Sequence, residues 1–334
     1  MQSLTLRPGT ELNGYCIEKL LGEDALGFTY LASDTCQNES VVIKEYMPGN
    51  YVLRHANMMV APRIKSGNIE YVRVLRAFLE DTKRQMAFDH ANIVHVQNVF
   101  QANCTAYKVM EYCEGGCLKD YFMGPMPEAD VRKVVSAISD GLRVVHDAGF
   151  VHGNIKPGNI MFRTDGTPVL KGLRFESEVT DAKSLQASVV FSEGYSPLER
   201  YGGNVQQGPW TDIYSLAATA YRCLTETRPG SVIDRLVNGG NYLLAHGNGG
   251  KFLKALDWGL SINPSDRPQT VRDWRNCNIS SGESSEVSCK FSIAHCHEPM
   301  SLWNPRKTQR WLHQPYRLLQ PLSIKTIRPA TGSY

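Results

Sequence analysis

The sequence predicts an α+β protein of two lobes followed by a tail. The first lobe should be strand-rich with one long helix, and the second mostly helical. Three observations carry this. Short runs of β-branched and aromatic residues fill the first third, helical spacing of apolar residues dominates from Glu128, and the chain changes character after Trp274. The length of 334 residues suits about two domains or one large two-lobed domain. With 42% apolar and 21% charged residues, there is enough apolar material for a core, and full-length disorder is excluded.

The elements follow in order. Tyr15–Leu21, Phe28–Ser33 and Ser40–Glu45 read as strands, separated by Gly22, Gly27 and the polar stretch Asp34–Glu39. Tyr71–Phe88 has helical spacing through Val74 and Phe78. Ile93–Phe100 and Ala106–Tyr112 return to strand character. From Glu128 to His146 the residues Val131, Val134, Val135, Ile138, Leu142 and Val145 share one helical face. Residues 276–334 hold five prolines and Ser-rich stretches without a sustained period, and are expected to form a flexible, disordered tail.

Formal charge is +3, too near neutral to argue for nucleic acid. The tail concentrates it, with seven Lys or Arg against three Asp or Glu, and suits contact with an acidic surface. No run approaches the ~18 apolar residues of a membrane-spanning helix. Met1–Leu12 lacks the pattern of a secretory signal. A cytoplasmic protein with its nine cysteines reduced is therefore expected. Neither Cys113 and Cys117 nor the Cys289, His295, Cys296 and His297 cluster fits a standard zinc set.

Five stretches bear on chemistry. Gly22-Glu23-Asp24-Ala25-Leu26-Gly27 lies between two strands, and Val41-Val42-Ile43-Lys44 puts one lysine on the next. Val109-Met110-Glu111-Tyr112-Cys113 lies between the lobes, and His152-Gly153-Asn154-Ile155-Lys156-Pro157-Gly158-Asn159 follows the long helix. Gly194-Tyr195-Ser196-Pro197-Leu198-Glu199, Asp212 and Arg267 come last. In this order they resemble the eukaryotic-like Ser/Thr protein kinase family, most closely its bacterial members, over about residues 14–275. The resemblance implies a two-lobed protein kinase fold, with an N-lobe of about 14–110 and a C-lobe of about 114–275.

A glycine-bearing turn lets backbone N–H groups approach phosphates. Gly22 and Gly27 hold the outer positions of the family's three-glycine pattern, and Asp24 takes the middle one, where its carboxylate should repel phosphates. The resemblance makes Lys44 the phosphate-pairing lysine and Asp81 its helix partner. It also places Val42, Met110, Glu111, Cys113 and Met161 around the nucleotide base. Val42 is bulkier than the usual alanine and should crowd the base.

The catalytic loop departs from the family pattern. Lys156 and Asn159 match it, but Asn154 stands where an aspartate accepts the substrate hydroxyl's proton. An amide orients a hydroxyl but cannot act as a base near neutral pH. Gly153 replaces the arginine that reads a phosphorylated activation loop. Gly172-Leu173-Arg174 stands where the family has its metal-binding Asp-Phe-Gly, which leaves Asn159 as a lone neutral metal ligand. The framework residues Glu199, Asp212 and Arg267 are present. This asymmetry points to a folded protein without catalysis, a pseudokinase that binds or controls a protein partner, with weak ATP binding and poor Mg²⁺ coordination.

Two alternatives stand beside that reading. An active atypical Ser/Thr kinase would transfer the γ-phosphoryl group of ATP to protein hydroxyls, with Arg174 or Glu176 compensating. In a tail-driven binding protein, Pro299–Tyr334 would hold acidic lipid or nucleic acid. Thr180, Ser184, Ser188 and Ser192 fall in the stretch corresponding to the activation loop and are phosphorylatable residue types.

Overall fold

The computed structural model describes residues 4–49, 51–63, 68–173, 192–202, 205–237 and 250–276. Arg174, Glu176, Thr180, Ser184, Ser188 and the stretch 277–334 lie outside them.

Strands β1 (Glu11–Leu12), β2 (Tyr15–Asp24), β3 (Gly27–Asp34), β4 (Glu39–Glu45), β7 (Val96–Ala102) and β8 (Thr105–Glu111) form one sheet in the order β1-β2-β3-β4-β8-β7. All its pairings are antiparallel. The expected strands are present, with two differences: β2 runs past the expected end at Leu21, through Gly22 to Asp24, and the strand expected from Ile93 begins at Val96, while Ile93 makes an isolated parallel bridge to Leu170. A small hairpin that the sequence pattern did not reveal, β5 (Val52–Arg54) with β6 (Val60–Pro62), is inserted after β4. Helix α1 (Asn68–Gln85) packs on β7 and β8.

Strand alternation explains how β4 serves two masters. Val41, Ile43 and Glu45 fall on one face, and Val42 and Lys44 on the other. Val41 and Ile43 join Ile17, Tyr30, Tyr107 and Val109 in a core that also takes in Val52, Val60 and Leu6. Glu45 is buried with them. Its Oε2 accepts from Arg54 Nη2 at 2.6 Å and Tyr30 Oη at 3.0 Å, and its Oε1 accepts from Tyr107 Oη at 2.7 Å. Arg54 also donates to Leu4 O at 2.8 Å and Met58 O at 3.0 Å. A buried ion pair is tolerable only when its remaining donors and acceptors are satisfied, and here the hairpin and the N-terminal segment satisfy them.

Helix α2 (Glu128–Asp147) carries acidic residues in its first turn and His146 in its last, which suits the helix dipole. Gly149, in left-handed geometry with φ of +80°, ends it by donating to His146 O at 2.9 Å. The expected apolar face of α2 is buried: Val131, Val134, Val135, Ile138 and Leu142 pack with Ile213, Leu216 and Ala220 of α3 (Pro209–Thr225). Helices α4 (Val232–Val237), α5 (Lys251–Gly259) and α6 (Val271–Asn276) complete this part. Trp274 is fully buried and donates to Ala255 O at 2.7 Å. A two-stranded ribbon, β9 (Ile160–Phe162) with β10 (Pro168–Leu170), flanks the loop that follows α2.

Candidate functional site

The loop after α2 is built on Asp212. This side chain is buried in α3 and accepts from His152 N at 2.7 Å, Gly153 N at 2.8 Å and His146 Nε2 at 2.8 Å. Burial alone would raise its pKa. The His146 contact and the backbone N–H of Gly153 outweigh that and hold the carboxyl below its ordinary value. Asp212 thus fixes the backbone of residues 152 and 153.

Glu199 and Arg267 form a second support. Arg267 Nη1 and Nη2 meet Glu199 Oε1 and Oε2 at 2.7 and 3.2 Å, with both side chains 0% exposed. Thr211 Oγ1 donates to Glu199 Oε1 at 2.8 Å, and Arg267 also donates to Ser261 O and Ile262 O. The pair ties the segment around Glu199 to the start of α3.

Beyond these supports lies the loop's polar tip. Asn159 Nδ2 donates to Asn154 O at 2.6 Å, and Lys171 N donates to Asn159 O at 2.9 Å. Gly172 has φ of +83°. A β-carbon on Gly172 would lie 3.4 Å from Asn159 Nδ2 and 3.5 Å from Asn154 Nδ2. Asn154, Asn159 and Gly172 therefore converge on one small volume. Lys156 Nζ donates to Ser192 Oγ at 3.1 Å, which joins the loop to the segment that leads into Glu199.

Gly153 has φ of +68°, and a β-carbon there would fall 2.6 Å from Arg200 Nη1. The Arg200 guanidinium thus covers the position where the resemblance expected an arginine. Sequence reasoning missed Arg200, because nothing in its spacing reveals that it folds back over Gly153.

On the strand side, Met110 and Met161 pack with Cys113, Val94 and Val169. Val42 is the register partner of Met110. Met110, Cys113 and Met161, expected around a base, thus share one apolar cluster in which Cys113 is buried and the two methionines are partly buried, with Val42 opposite Met110 in the sheet. Burial pushes the Cys113 thiol up to about 11, so it stays protonated near neutral pH. The Glu111 side chain is a strut: Arg163 Nε and Nη2 bind its two oxygens at 2.9 Å each, and His95 N donates at 2.8 Å. Such a bidentate pair, between the last residue of β8 and the residue after β9, has the fork geometry that arginine alone supplies.

Lys44 differs from expectation. Its Nζ lies 2.7 Å from Asp24 Oδ1 and 2.9 Å from Gly27 O. Asp81, the expected partner, has Arg84 Nη1 at 3.5 Å, and its Oδ1 receives no hydrogen bond. Burial is the main reason its pKa rises to about 6, with Glu80 adding to the rise and Arg84 and Lys108 opposing it. Asp24 reaches Lys44 from the neighbouring hairpin, and the short Asp81 side chain does not compete for it. Gly27 is required for a reason unrelated to phosphates. A β-carbon there would meet Glu45 O at 2.4 Å and Met47 N at 2.5 Å, and its φ is +131°. Gly22 has open space around it.

A second buried lysine was not foreseen. Lys108 is the register partner of Lys44, and its Nζ donates to Gln85 Oε1 at 3.1 Å. Gln85 Nε2 in turn donates to Leu173 O at 3.0 Å. This chain links β8, α1 and the Gly172 segment beside a small pocket lined by Met110, Val94, Val96 and Leu170. The alternation of Lys108 with Met110 on one strand was the available signal.

The arrangement is that of the protein kinase fold. The sequence matches the protein kinase domain family over residues 15–239, and the chain belongs to that family. The serine/threonine-protein kinase PknA of Nostoc sp. is 30% identical over 231 residues, covering 65% of this chain and 38% of that protein. PknB of Mycobacterium leprae is 28% identical, covering 64% and 33%. A probable serine/threonine-protein kinase, zyg-1 of Caenorhabditis briggsae, is 26% identical, covering 67% and 28%. The matched part is thus under two fifths of each of these relatives. The solved structure of PpkA-294 in its apo form superposes with a TM-score of 0.72 at 27% identity, covering 82% of this chain and 99% of that one. The Mycobacterium tuberculosis PknI kinase domain gives 0.57 at 18% identity, covering 81% and 97%, and supports the fold alone.

Among the described residues, no helix is long and apolar enough to cross a membrane.

Proposed function

We propose that this chain is a pseudokinase, a protein kinase fold that acts by binding or allosterically controlling a protein partner. The observation that carries the reading is the convergence of Asn154, Asn159 and Gly172, none of which bears a charge. The family's reaction needs a group to accept the hydroxyl proton and a charged ligand to hold Mg²⁺ beside the phosphates. Amides serve neither purpose well, and Gly172 has no side chain. Mg²⁺ therefore does not fit the residues present, and no chemical step is derived through it. The intact supports around Asp212 and Glu199 preserve a surface that a partner can recognise. The kinase-like unit is taken as residues 14–275, with the basic stretch 276–334 suited to an acidic surface.

The Lys156–Ser192 contact favours a second reading, an active atypical kinase, since it keeps the loop joined to the segment beside it. Outside the described residues, Glu176 would have to supply the base or the metal ligand, and Arg174 a fixed positive charge in place of the metal.

Phosphoryl transfer from labelled ATP to a generic protein substrate, in Mg²⁺ or Mn²⁺, separates the two. The wild-type chain and Lys44→Ala should both remain at background. Combining Asn154→Asp with Gly172→Asp should raise transfer by about 10²-fold or more, since it supplies both lost effects. Aspartate tolerates the left-handed backbone at 172 better than most residues. Wild-type transfer well above background that disappears in Lys44→Ala would overturn the pseudokinase reading.

A further inference from the structure

Asp24 sits at the tip of the β2–β3 hairpin, in register with Gly27 across the two-residue turn Ala25–Leu26. Its Oδ1 accepts from Leu26 N at 2.9 Å and from Lys44 Nζ at 2.7 Å. Gly27 O takes a second Lys44 donor at 2.9 Å. Met47 N donates to Leu26 O at 2.8 Å, so the turn is tied to the end of β4. The Lys44 side chain is only 9% exposed, while that of Asp24 is 57% exposed. A carboxylate oxygen of the protein thus occupies the lysine that an incoming phosphate would seek. Carboxylate and phosphate oxygens are equivalent partners for an ammonium group, both forming short charge-assisted bonds.

We propose that Asp24 is a built-in substitute for a nucleotide's phosphate, so that the site beside Lys44 takes a nucleoside without phosphates in preference to a nucleoside triphosphate. The inference rests on reading the apolar cluster of Met110, Cys113 and Met161, whose methionines are partly exposed, as the base-binding side of the site. Three features support it. Lys44 is already neutralised within the protein. A triphosphate would have to displace Asp24 and then remain beside its carboxylate. Asn154, Asn159 and Gly172 bring no charge and no metal to offset that repulsion. An uncharged nucleoside meets the apolar surface without disturbing the Asp24–Lys44 pair.

The test is calorimetric titration of the full chain with adenosine and with ATP, each with and without Mg²⁺. The wild type, Asp24→Asn, Asp24→Gly, and Asp24→Asn combined with Lys44→Met are compared. Asp24 is half-exposed, and asparagine keeps an acceptor for Leu26 N, so Asp24→Asn should fold as the wild type does. Wild-type protein should bind adenosine more tightly than ATP. Both single variants should tighten ATP by about tenfold or more and leave adenosine within about twofold. The gain should vanish when Lys44 is also replaced. Equal ATP affinity in wild type and Asp24→Asn would overturn the proposal. So would a parallel rise for both ligands, or no adenosine binding by cooperatively melting proteins. The ratio is read without turnover, so wild-type phosphoryl transfer would sink the pseudokinase reading and leave this result to stand or fall separately.

Discussion

Asp81 shows how one residue's surroundings set its chemistry. The sequence offered it as the anion for Lys44, but the lysine is held by Asp24, and Asp81 is left largely desolvated. Its pKa of about 6 lies above the ordinary 3.8, so the folded state holds the proton more tightly than the unfolded chain. Stability from this group is therefore present below about pH 4 and is lost as pH rises through about 6. Asp81→Asn should raise the melting temperature at pH 8, by the equivalent of about 1–3 kcal/mol, and change it little near pH 4. A thermal melt series from pH 4 to 8 reads this directly, and an unchanged difference across the range would contradict it. Gly27 belongs to the same scale. Alanine there meets the backbone of residues 45 and 47 below contact distance and is strained at a φ of +131°. Gly27→Ala should cost about 1–3 kcal/mol in urea unfolding, whatever ligand is present. Gly22→Ala, with open space around it, should cost far less.

At the scale of elements, β4 binds the strand-rich part together because alternate residues serve opposite faces. Lys44 lies on the face opposite and meets Asp24, while Glu45 anchors the inserted hairpin through Arg54. Sequence periodicity located β4, β8 and α2, since each carries an apolar pattern over seven residues or more. It did not locate β5–β6 or β9–β10, whose strands are three residues long and too short to show a period. Their positions follow from partners distant in the chain. Nothing near Arg54 in the sequence identifies Glu45 and Leu4 O as its partners. Arg54→Ala leaves Glu45 buried without its counter-charge and should cost about 3–5 kcal/mol in denaturant unfolding, whereas Arg63→Ala, at an exposed position, should stay within about 0.5 kcal/mol.

Across the whole molecule, two supports hold the loop of residues 152–159 against α3 and the segment around Glu199. The Glu199–Arg267 pair is completely buried and fully hydrogen-bonded, so removing one partner strands a charge. Either Glu199→Ala or Arg267→Ala should cost about 3–5 kcal/mol, and the double replacement should cost less than the sum. A double-mutant cycle by denaturant unfolding measures that coupling, and additive losses would show that the pair does not act as a unit.

What the sequence determined by itself was the family, the order of the two lobes and the residue types of the loop 152–159. These depend on motif identity and on periods that local physics imposes on long elements. That Asn154 and Gly172 carry no charge is likewise a matter of residue type and needs no coordinates. Only the tertiary structure decided which partner Lys44 takes, where the Arg200 guanidinium lies and how Lys108 joins α1 to the Gly172 segment. Those contacts join residues 17, 20, 23 or more positions apart, or depend on a side chain folding back over a glycine. Short-range patterns carry no record of such choices, because they are settled by the competition of charged groups for the few partners that burial leaves within reach.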